Sequence, residues 1–168
     1  IEDRLDRKMY KLGKNILKQN GYIQYELSNF AQKGFDCRHN LNIWNGEDYI
    51  GFGASSHSRL NGRRYNNINS LEKYIELINI GTDVKENIQT LTANDLLNER
   101  IVLNLRTVNG INIKKINHDF GINFTKEKEF QIQNLLNQNL IKISENRLTL
   151  TAKGQNIENV VNLELVNF

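Results

Sequence analysis

The second half of this 168-residue chain constrains its fold most strongly, because three runs of helical period are followed by two short β-forming runs and a capped helix. Thr92 and Asp95 open a helix whose Leu96, Leu97, Ile101 and Leu105 share one face. Ile113, Ile116 and Phe120 predict a second helix ending at Gly121, and Thr125 caps a third carrying Phe130, Leu135 and Leu136. Ile141 with Ile143, and Leu148 with Leu150, then flank a turn at Glu145-Asn146. Thr151 caps a last helix with Ile157, Val160 and Val161. Three helices, a β-hairpin and a closing helix form a winged-helix-like order.

Such an order raises a nucleic-acid reading, which the charge pattern argues against. Residues 92–168 hold nine Lys and Arg against eight Asp and Glu, a net charge of +1. Lys126 and Lys128 alternate with Glu127 and Glu129, which makes a solvated face. The basic stripe that phosphate binding needs is missing, so no nucleic-acid partner is expected. A protein-docking module stays open as a non-enzymatic alternative.

The first half reads differently. Ile1, Leu5, Met9, Leu12 and Ile16 recur at helical spacing up to Gly21, a left-handed cap. A strand-like run rich in β-formers, Tyr22 to Ser28, follows. Helix into strand is one αβ unit of a parallel sheet or barrel. Residues 29–49 lack a period and are expected to form a long loop. Asn61-Gly62 between 54–60 and 63–68 is a strong hairpin signal. Asn69 with Glu72 resembles a capping box, and Leu71, Tyr74, Ile75 and Ile78 give the next helix an apolar face. The polar stretch 81–90 reads as an irregular connection. Two parts are therefore expected, 1–90 and 91–168, in an α+β chain.

With 39% hydrophobic and 24% charged residues, composition fits a globular protein. Proline is absent, and 27 Asn and 19 Ile stand against four Ala, a codon-type bias that removes functional weight from asparagine counts. No apolar run is long enough to span a membrane. A single cysteine suits a reducing compartment, so a cytoplasmic location, or one peripheral to a membrane, is expected. Opening on Ile1 inside a helical pattern suggests a piece cut from a longer protein. Exposed apolar edges on such a piece could drive it to dimerise.

Chemistry concentrates at residues 37–44, where the only Cys and the only Trp meet one of three His. A neutral imidazole at His39 is a common metal and haem-iron ligand, and a Cys37 thiolate could take the same role. The plainer alternative has His39 and Asn40 bonding loop backbone while Trp44 anchors the loop. Cys37 and His39 with distant His57 and His118 lack the spacing of a closed zinc site. Gly51, Gly53 and Ser55 belong to a glycine-broken run through which a ligand could approach backbone amides. His57, Arg59, Arg63 and Arg64 sit on or beside the hairpin, either meeting carboxylates or phosphates of a ligand or forming an exposed cationic surface. Glu26, a carboxylate in a strand, is costly to bury without a partner. His118 beside Asp119 reads as a surface residue.

Three ordered segments together resemble a known family: Tyr25-Glu26-Leu27-Ser28-Asn29-Phe30-Ala31, Cys37-Arg38-His39-Asn40-Leu41-Asn42-Ile43-Trp44, and Tyr49-Ile50-Gly51-Phe52-Gly53-Ala54-Ser55-Ser56-His57-Ser58. Leu150-Thr151-Ala152-Lys153-Gly154 resembles its Leu-Thr-x-x-Gly. The family is the oxygen-independent coproporphyrinogen III oxidase-like radical S-adenosylmethionine (SAM) proteins, in their haem-chaperone, HemW-type branch. The resemblance implies a partial (β/α) barrel ending near residue 30 and a winged-helix-like C-terminal domain. It also implies a CxxxCxxC-held four-iron, four-sulfur cluster that cleaves SAM, outside this one-cysteine chain. No catalytic residue is therefore assigned here. Glu26, Gly51, Gly53 and Ser55 are expected near SAM, and His39, Cys37, Asn40, Trp44, Arg59 and Arg63 near haem or another tetrapyrrole. His39 or Cys37 is the candidate iron ligand. His39, Asn40 and Trp44 match a His-Asn-x-x-Tyr-Trp-like loop of the chaperone branch, with Ile43 replacing its Tyr. Chaperone members bind haem and pass it to respiratory proteins, while the oxidase alternative decarboxylates coproporphyrinogen propionates.

Overall fold

A computed structural model describes residues 3–166, so Ile1 lies outside the described residues. The first helix, α1 (Asp3–Gln19), stops where Gly21 adopts φ +80°. Tyr10, itself exposed, ties the helix to the following strand, its hydroxyl donating to the Leu27 carbonyl at 2.8 Å. Leu5, Met9, Leu12 and Ile16 are all exposed, so nothing among the described residues covers that apolar face.

The expected helix feeding a strand is present as α1 leading into a strand shorter than the run 22–28, and among the described residues that strand has no parallel partner. β1 (Tyr22–Gln24) turns back through Ser28-Asn29 and pairs antiparallel with β2 (Phe30–Gln32). Every strand pair among the described residues is antiparallel, and they contain no closed barrel. A parallel partner needs a crossover that this stretch lacks. The loop expected over 29–49 is likewise corrected. It contains β2 and a two-turn helix, α2 (Arg38–Trp44), whose seven residues are too few to show a period.

The Asn61-Gly62 hairpin is present, as β3 (His57–Leu60) against β4 (Arg63–Asn67), with both turn residues at positive φ. A third strand, β5 (Lys85–Thr90), pairs with β4 where an irregular connection was expected. Its six residues are all exposed, so it carries no apolar alternation to read. Between β4 and β5 lies α3 (Leu71–Asn79), capped by Ser70 rather than Asn69: the Ser70 hydroxyl accepts from the Lys73 amide at 3.3 Å. Leu71, Ile75 and Ile78 are exposed, while Tyr74 turns inward.

The second half encloses the main core. α4 (Ala93–Leu105) starts at a reciprocal capping box, with Thr92 and Asp95 satisfying each other's backbone. β6 (Ile111–Asn112) leads into α5 (Ile113–Phe120), which ends at left-handed Gly121. The third helical run splits at Lys128 into α6 (Phe124–Glu127) and α7 (Glu129–Asn137). Asn123, not Thr125, caps α6, and Phe130 is 79% exposed while Phe124 fills the core. β7 (Ile141–Ser144) and β8 (Arg147–Leu150) form the hairpin around Glu145-Asn146, and β6 adds a strand to give the order β6-β8-β7. Thr151 caps α8 (Ala152–Gln155), and α9 (Glu158–Leu165) closes the unit, with Val161 buried but Val160 exposed. Ile101, Leu105, Ile111, Ile116, Phe124, Leu135, Leu148, Val161 and Leu165 make one cluster to which residues before 91 add only Leu27 at its edge.

Candidate functional site on helix α2

α2 starts at Cys37, whose extended backbone sets the cap without a side-chain bond. It stops at Asn45 and Gly46, and Gly46 adopts φ +74°. The positive φ favours glycine there, and a Cβ on Gly46 would displace the Arg100 guanidinium.

Trp44 fastens α2 to α4. Its ring stacks against Arg106, with Cζ 4.8 Å from the ring centre, and its carbonyl accepts from Asn104 Nδ2 at 2.8 Å. Asn40 is half-buried, while His39 and the free thiol of Cys37 are exposed at the helix start. Tyr25 packs beneath this start: burial pushes its hydroxyl pKa up, and a hydrogen bond from the Cys37 backbone pulls it partly back. Phe35, two residues before Cys37, is 78% exposed, and Phe52 beyond the helix is 87% exposed. The helix therefore presents an imidazole and a thiol on a base locked by Trp44.

Glu26 is fully buried. One carboxylate oxygen accepts from the Ser28 amide at 3.2 Å, and the other has no donor among the described residues. The backbone on both sides is stitched to the end of α4: Leu27 donates to the Arg106 carbonyl at 2.8 Å and Val108 to that of Tyr25 at 3.2 Å. Trp44 Nε1 and Arg106 Nε are buried donors without an acceptor among the described residues.

The glycine-broken run is used internally. The Gly51 amide donates to Ser58 Oγ at 3.0 Å and the Gly53 amide to the Tyr74 hydroxyl at 3.2 Å. Ser55 is exposed, with φ 60° and its amide on the Ile68 carbonyl. Neither glycine amide is left open to a ligand.

Arg59 and Arg63 do not share a surface. Arg59 pairs with Arg64 across the hairpin and Arg63 with Leu60, and successive residues of a strand face opposite sides. Arg59 is buried, its Nη1 donating to the Gly46 carbonyl at 2.6 Å and lying 3.6 Å from Asp48. Its Nε comes within 2.9 Å of Glu99 but is not aimed at the oxygen, which makes a charge contact and not a hydrogen bond. Arg63 is exposed in a separate open cleft with Tyr65, Asp83 and Lys85. The supports Glu99 and Asn104 on α4 and Arg106 at its C-cap carry no signal in the sequence, because they act only through distant partners.

The described residues do not fit an iron–sulfur cluster: Cys37 is the single thiol, and no three His, Cys, Asp or Glu side chains converge. No described helix is long and apolar enough to cross a membrane.

Residues 91–157 match the family described as HemN C-terminal domain. The heme chaperone HemW of Lactococcus lactis subsp. lactis (strain IL1403) is 34% identical over 153 residues, covering 91% of this chain and 40% of that protein. The heme chaperone HemW of Bacillus subtilis (strain 168) is 30% identical over 156 residues, covering 93% and 41%. The chain belongs to the oxygen-independent coproporphyrinogen III oxidase-like family, in its HemW-type branch. It spans about two fifths of the length of these curated relatives. Among solved structures, one described as "Coproporphyrinogen III oxidase (HemN) from Escherichia coli is a Radical SAM enzyme" superposes with a TM-score of 0.73 at 16% identity, covering 94% of this chain and 40% of that one. At that identity the match speaks for the fold alone.

Proposed function

We propose that this chain is the haem-holding part of a haem chaperone, with α2 as the platform and His39 as the iron ligand, Cys37 being the alternative. The observation that carries the reading is the geometry of α2. Trp44 is pinned by Arg106 and Asn104 while His39 stays exposed at the other end. An imidazole that serves iron needs a free ring nitrogen and a fixed base, and α2 offers both. The kinship with proteins named heme chaperones supports the same ligand class.

The bound haem passes to respiratory proteins. Residues 91–168 act as a winged-helix-like domain, and 1–90 as the end of a barrel whose remainder supplies the iron–sulfur cluster and SAM. Glu26, Gly51, Gly53 and Ser55 are assigned near SAM by family resemblance. Arg63 is open to a propionate, whereas Arg59 is committed inward. Hemin titration into the whole protein tests this reading: a saturable Soret shift is expected, weakened in His39→Ala or in Cys37→Ala. An unchanged spectrum and affinity in both variants would remove α2 as the site.

A further inference from the structure

Three cations from separate segments converge on a cleft of about 240 Å³ between α2 and the second half of the chain: Arg100 from α4, Lys115 from α5 and Arg147 from β8. Among the described residues no carboxylate lines this cleft, and its other walls are mostly amides, with Leu41 and Asn45 of α2 closing one side. Outside the lining, Asp119 lies 3.4 Å from Arg100 Nη1 and 3.5 Å from Lys115 Nζ. Arg147 Nη1 donates to the Asn109 carbonyl at 3.1 Å. These contacts engage one nitrogen of each cation, while an arginine offers five N–H donors and a lysine three. One nearby carboxylate against three cations leaves the cleft positive by two charges. Asn112 adds an amide NH₂, because its oxygen is the one that caps the Lys115 backbone.

Arg100 is held largely out of water, while Lys115, 58% exposed, and Arg147, also exposed, reach the cleft from the solvent side, and like charges brought together in a concavity repel unless an anion joins them. Arg100 cannot swing away to relieve this. Its side chain is only 15% exposed and is packed against Gly46. The cleft is smaller than the roughly 300 Å³ at which drug-sized pockets begin, which suits a small oxyanion and excludes a tetrapyrrole. It is also distinct from the haem platform. At about 100° per residue, His39 and Leu41 lie about 160° apart around α2.

We propose that this cleft binds a small anionic ligand, carrying either a phosphate group or paired carboxylates, held by Arg100, Lys115 and Arg147. Occupancy joins α2 to the second half of the chain through the ligand. The test is isothermal titration of inorganic phosphate, pyrophosphate and succinate into the chain at constant ionic strength. Saturable binding is expected, weakened at least tenfold in Lys115→Gln and in Arg147→Gln and unchanged in Lys142→Gln, which removes the same charge from exposed β7. The two phosphate probes against succinate identify which source the cleft prefers. Arg147→Lys, which keeps the charge, is expected to keep part of the affinity and guards against misreading a folding defect. No saturable binding by any probe, equal affinity in the cleft variants, or equal weakening in Lys142→Gln would overturn the assignment.

Discussion

Replacing Arg59 with methionine is expected to destabilise the fold and leave hemin binding intact. The guanidinium ties the hairpin to two other places at once, reaching the Gly46 carbonyl at 2.6 Å and Glu99 at 2.9 Å. Its side chain is 9% exposed and that of Glu99 20%, so both charges sit largely out of water. At an effective dielectric of about 20, unit charges 4 Å apart attract by about 4 kcal/mol before desolvation is counted. Removing one member of a buried pair costs about 3–5 kcal/mol, chiefly because the survivor stays buried and unpaired. Arg64 remains 3.8 Å from Glu99 and offsets part of that penalty. The expected loss is therefore about 3 kcal/mol, or a fall in Tm of about 6–12 °C at this chain length. Urea unfolding of Arg59→Met, Glu99→Leu and the double variant measures it, and the double variant is expected to recover most of the loss. A change below about 0.5 kcal/mol, the usual range for a surface substitution, together with weakened hemin uptake, would refute the inward role.

Four further outcomes follow from the second half. Thr92→Ala removes the α4 cap and should cost about 1 kcal/mol in urea unfolding. The Thr92 amide, and after it the Thr92 hydroxyl, hold the Asp95 carboxyl below its ordinary value of 3.8. A lowered native pKa means that this stabilisation is present above the unfolded value and is lost as pH falls through the native one. Asp95→Asn should therefore flatten the acid side of the stability curve below about pH 4, read by circular dichroism. Ile101→Ala should cost about 2–5 kcal/mol, since Ile101 is 0% exposed at the centre of the cluster. Gly110→Ala should lower Tm more than a surface change would, because Gly110 has φ +57° and a Cβ there would strike the Leu148 carbonyl.

Sequence and structure agree where local chemistry decides the matter. Asn61-Gly62, Glu145-Asn146, the Thr92 and Asp95 box and the Thr151 cap each act within a few residues, and each appears in place. α2 was hidden because seven residues without a side-chain cap carry neither periodicity nor a start signal. β5 was hidden because a strand with no buried side chain has no alternation, and its pairing with β4 comes from backbone. Phe130 is exposed, against expectation, because the helix break at Lys128 changes the phase of the apolar face, and Phe124, for which no role was expected, fills the core. For the candidate site, the sequence marks His39 and Trp44 but not the division of labour between them. The opposite faces of Arg59 and Arg63 follow from register alone, which a one-residue shift would reverse.

Whether α2 supplies the iron ligand is tested most directly by the ligand field of the bound haem. Electron paramagnetic resonance of the ferric hemin complex, recorded for the chain, His39→Ala and Cys37→Ala, reads the axial ligand itself. An imidazole-type spectrum that is lost in His39→Ala and kept in Cys37→Ala is the predicted result. The same spectrum in all three proteins would contradict the assignment of haem to this helix.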